Sequence, residues 1–197
     1  MTKLIIDPVN KITDYRRTIR ELQIFLIFSI IVAGKRADVR AALLTRMLAH
    51  RPPKEKPLDY LRRLGPKRRD QWLRKHNCGP YKQNNDAIED VLAANLDLKR
   101  CTIHDLVQIR GIKYKTAHFF LLHSREGYDG IVLDTHVLAY LRDNGIEAPL
   151  TTPQSAKKYD ELEQEVRKLF KRDYPKMTLA EADFALWKKY SGHTNDA

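Results

Sequence analysis

The segment from Leu106 to Gly145 contains an amine and a carboxylate of the kinds used in covalent catalysis. Lys115 supplies the amine, which is a nucleophile only when part of it is neutral, a state favoured by burial or by nearby positive charge such as Lys113. Asp134 supplies the carboxylate, a group that can stabilise developing positive charge and assist proton transfer. Each residue also has a plainer interpretation. Lys115 would then contact a phosphate, and Asp134 would cap the N-terminus of a helix.

A helix, a tight turn and a second helix are predicted around Lys115. Thr102 is suited to be an N-cap with Asp105 in the first turn, and Gly111 makes the turn. The second helix runs from Lys115 to Leu122. Such a hairpin directs backbone N–H groups and a helix N-terminus to one place, where they would bind a phosphate. An ordinary αα-hairpin with no ligand is the alternative.

The composition of the 197 residues favours a folded, basic protein. Hydrophobic residues make up 43% and charged residues 31%, with 8 Gly and 9 Pro, and neither disorder nor a fibrous repeat fits these totals. Lys and Arg number 36 against 25 Asp and Glu, which gives a formal net charge of +11. That surplus indicates a polyanionic partner, with nucleic acid first. A basic protein without such a partner is the alternative.

The two cysteines and the apolar segments provide evidence on metal binding and on the cellular location of the protein. Cys78 and Cys101 lack the spacing of a zinc or iron–sulfur site, so we expect no bound metal at cysteines and a reducing cytosol. The N-terminus lacks the pattern of a secretory signal. The apolar run from Ile24 to Ala33 is shorter than the roughly 20 residues needed to cross a bilayer, and is predicted to be a buried helix. We therefore expect a cytoplasmic, nucleoid-associated monomer that does not bind membranes.

Helical patterns recur along the chain and strand patterns are scarce, so an all-α fold is predicted. The segment from Arg51 to Arg69 is rich in Pro and positive charge, and we expect a surface connection with at most one short helix there. Thr178 and Glu181 have the spacing of a capping box. Apart from the hairpin, helices are predicted from Tyr15 to Ala33, Asp38 to Leu48, Asn84 to Leu98, Asp134 to Leu141, Pro153 to Phe170 and Thr178 to Tyr190.

Two motifs resemble the helix-hairpin-helix DNA glycosylase superfamily, which contains endonuclease III and the 8-oxoguanine DNA glycosylases. Ile109 to Ala117 (IRGIKYKTA) is similar to the family hairpin LPGVGxKTA, and Leu133 to Val137 (LDTHV) is similar to the VDTH-like segment that follows it. The resemblance implies an all-α, two-lobed fold with the active site in the interlobe cleft. It implies one lobe over residues 23–132, ending in the hairpin, and a second lobe formed by residues 1–22 and 133–197.

The resemblance also implies roles for individual residues. Lys115 matches the nucleophile of the bifunctional members, which also act as AP lyases, and Asp134 matches the catalytic carboxylate beside the deoxyribose. Arg110 stands where the family has proline and Lys113 where it has a second hairpin glycine, which puts the turn geometry in question and adds two cations. The residues expected to bind DNA are Arg110, Gly111, Ile112, Lys113, Thr116 and His136.

A base pocket is implied by two weaker similarities. Val32 to Asp38 lies where relatives carry an SAQATD-like stretch, which places Gly34 and Lys35 at the pocket. Ala182 to Trp187 is similar to the LDLxxW segment of the compact archaeal-type 8-oxoguanine glycosylases, so Phe184 or Trp187 would stack on a flipped base. Aromatic residues on a helix also serve as core, which is the alternative interpretation.

The function implied by the resemblance is excision of a damaged base from double-stranded DNA with associated AP lyase activity. An oxidised purine such as 8-oxoguanine is favoured, because of the C-terminal similarity and the missing cluster cysteines. No cofactor is expected, although a monovalent cation would fit at the hairpin. The alternatives are a glycosylase for oxidised or mismatched pyrimidines, a glycosylase-like enzyme of DNA base hypermodification, and a non-catalytic hairpin module that binds DNA.

Overall fold

The computed structural model describes residues 4–33 and 35–192, and its regular elements are helical, which confirms the predicted all-α class. Within these ranges, no helix is both long enough and apolar enough to span a bilayer. The helices of the described residues are α1 (Ile19–Ile31), α2 (Ala37–Leu48), α3 (Pro57–Lys75), α4 (Tyr81–Ala94), α5 (Ile103–Val107), α6 (Tyr114–Ser124), α7 (Thr135–Asp143), α8 (Ala156–Asp173) and α9 (Leu179–Ser191).

Helix α1 is the buried helix that the apolar run predicts. It begins at Ile19 rather than at Tyr15, because Thr18 and Glu21 form a capping box in which each side chain bonds the backbone N–H of the other residue. Nine of its 13 residues are buried, on all sides of the helix. A helix that is apolar all round must lie inside the protein, and α1 contacts α2, α3 and α4.

Helix α3 corrects the expectation of a surface connection from Arg51 to Arg69. Pro57 occupies the first turn, where the missing N–H of proline costs nothing, and a kink at Gly65, with φ of 73°, joins two helical halves. Tyr60, Leu61 and Leu73 are buried. Pro57 therefore begins a helix, and most of the charged residues lie on the exposed part of that helix, where the sequence pattern predicted a loop.

The side chain of Arg69 is fully buried, although Arg69 belongs to the basic stretch from Arg51 to Arg69. Its guanidinium donates to the backbone carbonyl of Leu61 and to Asn85 Oδ1, the latter at 3.1 Å, and forms an ion pair with Glu89. A buried charge is tolerated only with such partners. The positive charge of Arg69 is therefore paired within the protein interior, where a polyanion could not contact it.

Two compact units divide the chain. Unit 1 comprises Met1–Ile12 and Arg16–Ile112, and unit 2 comprises Thr13–Tyr15 and Lys113–Ala197. This division differs from the expected lobes, residues 23–132 against 1–22 and 133–197. The difference has a local cause. Helix α6 contacts α9, and the short segment 13–15 bonds His123 on α6, so both belong with the C-terminal helices.

The core of unit 2 supports the start of α7. Helix α7 contacts α8 and α9, and a continuous apolar cluster fills the space among them. Burial of this surface stabilises unit 2 through the hydrophobic effect. Large buried members of the cluster are Leu138, Leu141, Tyr159, Val166, Phe170 and Leu186.

A buried aromatic and histidine contact links α6 to the chain that follows it. The His118 ring stacks on the Tyr159 ring, with centroids 5.0 Å apart, and a hydrogen bond of 2.9 Å joins His118 Nδ1 to Tyr128 Oη. A Cβ on Gly130 would lie 2.3 Å from His118 Nδ1, so this close approach requires glycine. Burial, aided by the charge of Arg167, lowers the pKa of His118 to about 4.

We expect His118 to make the fold acid-sensitive. Its folded pKa lies below the ordinary value of 6.5, so neutral His118 stabilises the native state above pH 6.5, and this stabilisation is lost as the pH falls towards 4. The loss should reach about 3 kcal/mol by pH 4. Urea denaturation of wild type and His118→Gln between pH 4 and 7 tests this, with the exposed His50→Gln as control. The expectation fails if His118→Gln keeps the pH slope of wild type.

Candidate active site

The hairpin that carries Lys115 forms as predicted. Thr102 and Asp105 make a capping box at the start of α5, and Gly111 turns the chain with φ of 79°, a conformation that favours glycine. Lys113, which stands where the family has a second glycine, adopts extended backbone with φ of −108°. Any residue tolerates that conformation. The replacement of the second glycine is therefore compatible with the hairpin turn.

The N-terminus of α6 follows this turn. Its N-cap residue, Lys113, is exposed and makes no side-chain capping bond, so the first N–H groups of α6 are not capped by that side chain. Uncapped N–H groups at a helix start attract anions, because the helix dipole adds to their positive partial charges. The local arrangement has the chemistry of a phosphate site.

Arg110 and Ile112, which are also expected to bind DNA, have partners within the protein. Arg110 forms a two-pronged ion pair with Asp90, with Nε–Oδ2 at 2.7 Å and Nη2–Oδ1 at 2.6 Å, and this contact lowers the pKa of the Asp90 carboxyl. Ile112 is buried and its N–H donates to the carbonyl of Ile109. Thr116 is buried as well. Both cations of this set, Arg110 and Lys113, are exposed beside the turn.

Asp134 caps α7, as its plainer interpretation predicts. Its Oδ1 accepts the backbone N–H groups of His136 and Val137, both at 2.9 Å. The carboxylate is thereby held in one orientation, and because both cap bonds use Oδ1, the cap leaves Oδ2 for another partner. His136 is half-buried and contributes its backbone N–H to this turn.

Asp183 on α9 is a buried acid on which the charges of both Lys115 and Asp134 act. Burial raises the pKa of the Asp183 carboxyl, and its hydrogen bond and charge interaction with His123 act against this effect. Two further charges act on the same carboxyl: Asp134 raises its pKa and Lys115 lowers it. The predicted amine and carboxylate therefore both lie within electrostatic reach of one buried acid.

A chain of buried hydrogen bonds holds Asp183. His123 Nε2 lies 3.1 Å from Asp183 Oδ2, and His123 Nδ1 lies 2.8 Å from Thr13 Oγ1. The Lys115 ammonium lies 5.4 Å from the centroid of the Phe119 ring, and that ring packs edge-on against His123. The sequence interpretation assigned no role to Asp183 or His123. The position of His123 within the apolar stretch of α6 was the sequence feature that indicates a buried histidine in need of a partner.

The aromatic residues predicted for a base pocket lie on α9 beside Asp183. Phe184 and Trp187 are half-buried, and their rings stack with an interplanar angle of 7° and centroids 6.1 Å apart. The Lys188 ammonium lies 4.7 Å from the Phe184 centroid. Gly34 falls outside the described residues, and Lys35 is exposed in unit 1.

Solved structures share this fold, although no family model and no curated protein sequence matches the chain. One is the 8-oxoguanine glycosylase/lyase of Methanocaldococcus jannaschii in complex with a 15mer DNA containing 8-oxoguanine, with 23% identity, a TM-score of 0.70, and 90% of this chain and 84% of that chain covered. Another is the 8-oxoguanine DNA glycosylase of Thermotoga maritima, with 19% identity, a TM-score of 0.71, and coverage of 88% and 81%. A further structure of the M. jannaschii 8-oxoguanine DNA glycosylase matches at 21% identity and a TM-score of 0.70, covering 94% and 85%. The chain therefore has the helical fold of these glycosylase structures.

Replacement of Asp183 by alanine should destabilise unit 2. The change leaves the buried His123 without its carboxylate partner, and the loss of such a partner costs about 2 to 4 kcal/mol. Urea denaturation at pH 7 measures the free energy of unfolding, and Asp160→Ala, an exposed carboxylate on α8, is the matched control and should change it by no more than about 0.5 kcal/mol. Equal stability of the two variants would contradict the structural importance of the Asp183–His123 contact.

Proposed function

We propose that the protein is a bifunctional DNA glycosylase/AP lyase that removes a damaged base from double-stranded DNA. The observation that supports the proposal is that the charges of Lys115 and Asp134 both act on the carboxyl of the buried Asp183, within a fold shared with 8-oxoguanine DNA glycosylase structures. An amine and a carboxylate are the groups required for attack on a sugar carbon and for stabilising the charge that develops there. A hairpin that only binds DNA requires neither group.

The reaction begins when the damaged nucleotide leaves the base stack. The neutral Lys115 amine attacks C1′ of the sugar, a bond from Nζ to C1′ forms, and the bond from C1′ to the base breaks with its electron pair leaving on the base. The amine loses a proton and the departing base gains one. The Asp134 carboxylate stabilises the positive charge that develops on the sugar and assists these proton transfers.

Strand cleavage follows from the covalent intermediate. The bond from C1′ to O4′ breaks with its electron pair on O4′, which gains a proton from solvent, and the nitrogen lone pair forms the Schiff base between Lys115 and C1′. A proton is then lost from C2′, and the Schiff base stabilises the electron pair left behind. This pair forms the C2′–C3′ double bond as the 3′ phosphate leaves with the electrons of its bond to C3′. Water releases the sugar fragment and regenerates the amine. These steps use side chains alone, and the proposal includes no cofactor.

DNA binding in this proposal is mainly electrostatic. The net charge of +11 supplies long-range attraction, and the N-terminus of α6 provides a local phosphate site beside the exposed Lys113. A monovalent cation at the hairpin stays a prediction. A substrate in chromosomal DNA would place the protein at the nucleoid.

An oxidised purine is the proposed substrate. The stacked rings of Phe184 and Trp187 offer a broad aromatic surface on the helix that carries Asp183, and a two-ring base gains more from such stacking than a one-ring base. The 8-oxoguanine DNA bound to the M. jannaschii glycosylase/lyase of the same fold supports this choice.

Borohydride trapping tests the proposed nucleophile. Wild type should form a covalent adduct with abasic duplex DNA, and Lys115→Ala should lose it by about 100-fold or more, because a trapped Schiff base needs the amine. Lys113→Ala is the matched control: it removes a neighbouring exposed cation, so it should weaken DNA binding while adducts still form at saturating protein. Equal trapping by wild type and Lys115→Ala would exclude Lys115 as the nucleophile.

A panel of duplexes, each with one lesion, tests the substrate. The 8-oxoguanine duplex should be cleaved faster than duplexes with oxidised pyrimidines, mismatches or hypermodified bases. Trp187→Ala should slow excision of 8-oxoguanine by about tenfold, because base stacking contributes about 1 to 3 kcal/mol. Leu150→Ala, an exposed apolar residue in the loop before α8, is the control. Preference for a pyrimidine lesion would overturn the choice of substrate.

A further inference from the structure

Tyr159 on α8 holds the backbone that leads to Asp134. Its hydroxyl donates a hydrogen bond of 2.8 Å to the carbonyl of Ile131 and accepts one of 2.9 Å from the N–H of Leu133. Residues 131–134 belong to no helix, so these backbone groups have no helical partners. Thr152 Oγ1 adds a bond of 2.8 Å to the carbonyl of Leu133. Side chains therefore fix the position of the residue next to the candidate catalytic carboxylate.

The ring of Tyr159 contacts the helix that carries Lys115. It stacks on His118 with an interplanar angle of 8°, and it packs at 41° against Tyr114 with centroids 5.6 Å apart. Tyr114 directly precedes Lys115, and His118 lies about one helical turn after it. A single side chain thus contacts both the helix of the amine and the segment of the carboxylate.

The surroundings of Tyr159 make this contact rigid. The side chain is fully buried, as are Ile131 and Leu133. Burial holds the pKa of the Tyr159 hydroxyl well above its ordinary value, so the group stays protonated and keeps donating to Ile131. Buried hydrogen bonds of this kind are costly to leave unmade, which restricts the segment to one arrangement.

We propose that Tyr159 is a positioning residue that sets the placement of Asp134 relative to Lys115. This inference rests on the proposed glycosylase activity. The ring packs in the core, whereas the hydroxyl aligns the segment before Asp134. Displacement of a catalytic group by about 1 Å can slow a reaction about 100-fold, so loss of the hydroxyl should affect the chemical step that needs Asp134.

The test compares Tyr159→Phe with Tyr140→Phe. Both changes remove one hydroxyl from a buried tyrosine, but Tyr140 donates to Asp173 Oδ2 and does not hold the segment before Asp134. Base excision from an 8-oxoguanine duplex is measured under single-turnover conditions. Borohydride trapping on preformed abasic DNA and the Kd for DNA are measured alongside it.

We expect Tyr159→Phe to slow base excision by about tenfold or more, with an unchanged Kd. Trapping on abasic DNA should fall by no more than about threefold, because that sugar has already lost its base and the amine alone forms the Schiff base. Tyr140→Phe should stay within about twofold of wild type in each assay. If Tyr159 only stabilised the fold, Tyr159→Phe would reduce base excision and trapping on abasic DNA to the same extent.

A second variant keeps the test decisive if Tyr159→Phe does not fold. Thr152→Val removes the bond to the Leu133 carbonyl and should slow excision selectively, in the same direction. Excision at the wild-type rate, or equal losses in excision, trapping and folded fraction, would overturn the positioning role. Wild type that is inactive on every lesion and on abasic DNA would overturn the proposed function, and the inference with it.

Discussion

The two backbone bonds accepted by Asp134 are the constraint on which the candidate site depends. A helix begins where its first N–H groups find acceptors, and Asp134 fulfils that need for α7. The same bonds fix the direction of a carboxylate that the proposed chemistry requires. The cap is effective because the chain on either side of it is fixed as well, by Tyr159 before Asp134 and by the packing of α7 after it.

Much of the fold could be predicted because its signals are local. Thr102 and Thr178 each have a carboxylate three residues later, and both capping boxes form. The turn at Gly111 also depends on a single residue. Helix α3 could not be predicted in this way. Its prolines and charges are typical of a loop. The helix is stabilised by contacts with residues far along the chain in unit 1, such as the contacts of Arg69 with Asn85 and Glu89.

The candidate site likewise contains residues that local motifs predict and residues that they do not. Lys115 and Asp134 stand within short motifs, so their types and order could be read from the chain. Asp183 and His123 are separated by 60 positions. No local pattern predicts that their side chains meet. The pairing of the exposed Arg110 with Asp90 was likewise not predictable from the sequence, because 20 positions separate the two residues.

The buried acid also bears on the charge balance that the proposed nucleophile needs. An amine attacks only in its neutral form, and each full negative charge nearby favours the ammonium form instead. The proposed reaction already uses one carboxylate, that of Asp134, to stabilise the sugar cation, so a second ionised carboxylate would further oppose the nucleophile. Burial raises the pKa of Asp183, whereas its hydrogen bond and charge interaction with His123 act against this effect. A neutral Asp183 adds no negative charge to the surroundings of the proposed nucleophile, so the burial of this acid favours the neutral amine that the proposed reaction needs.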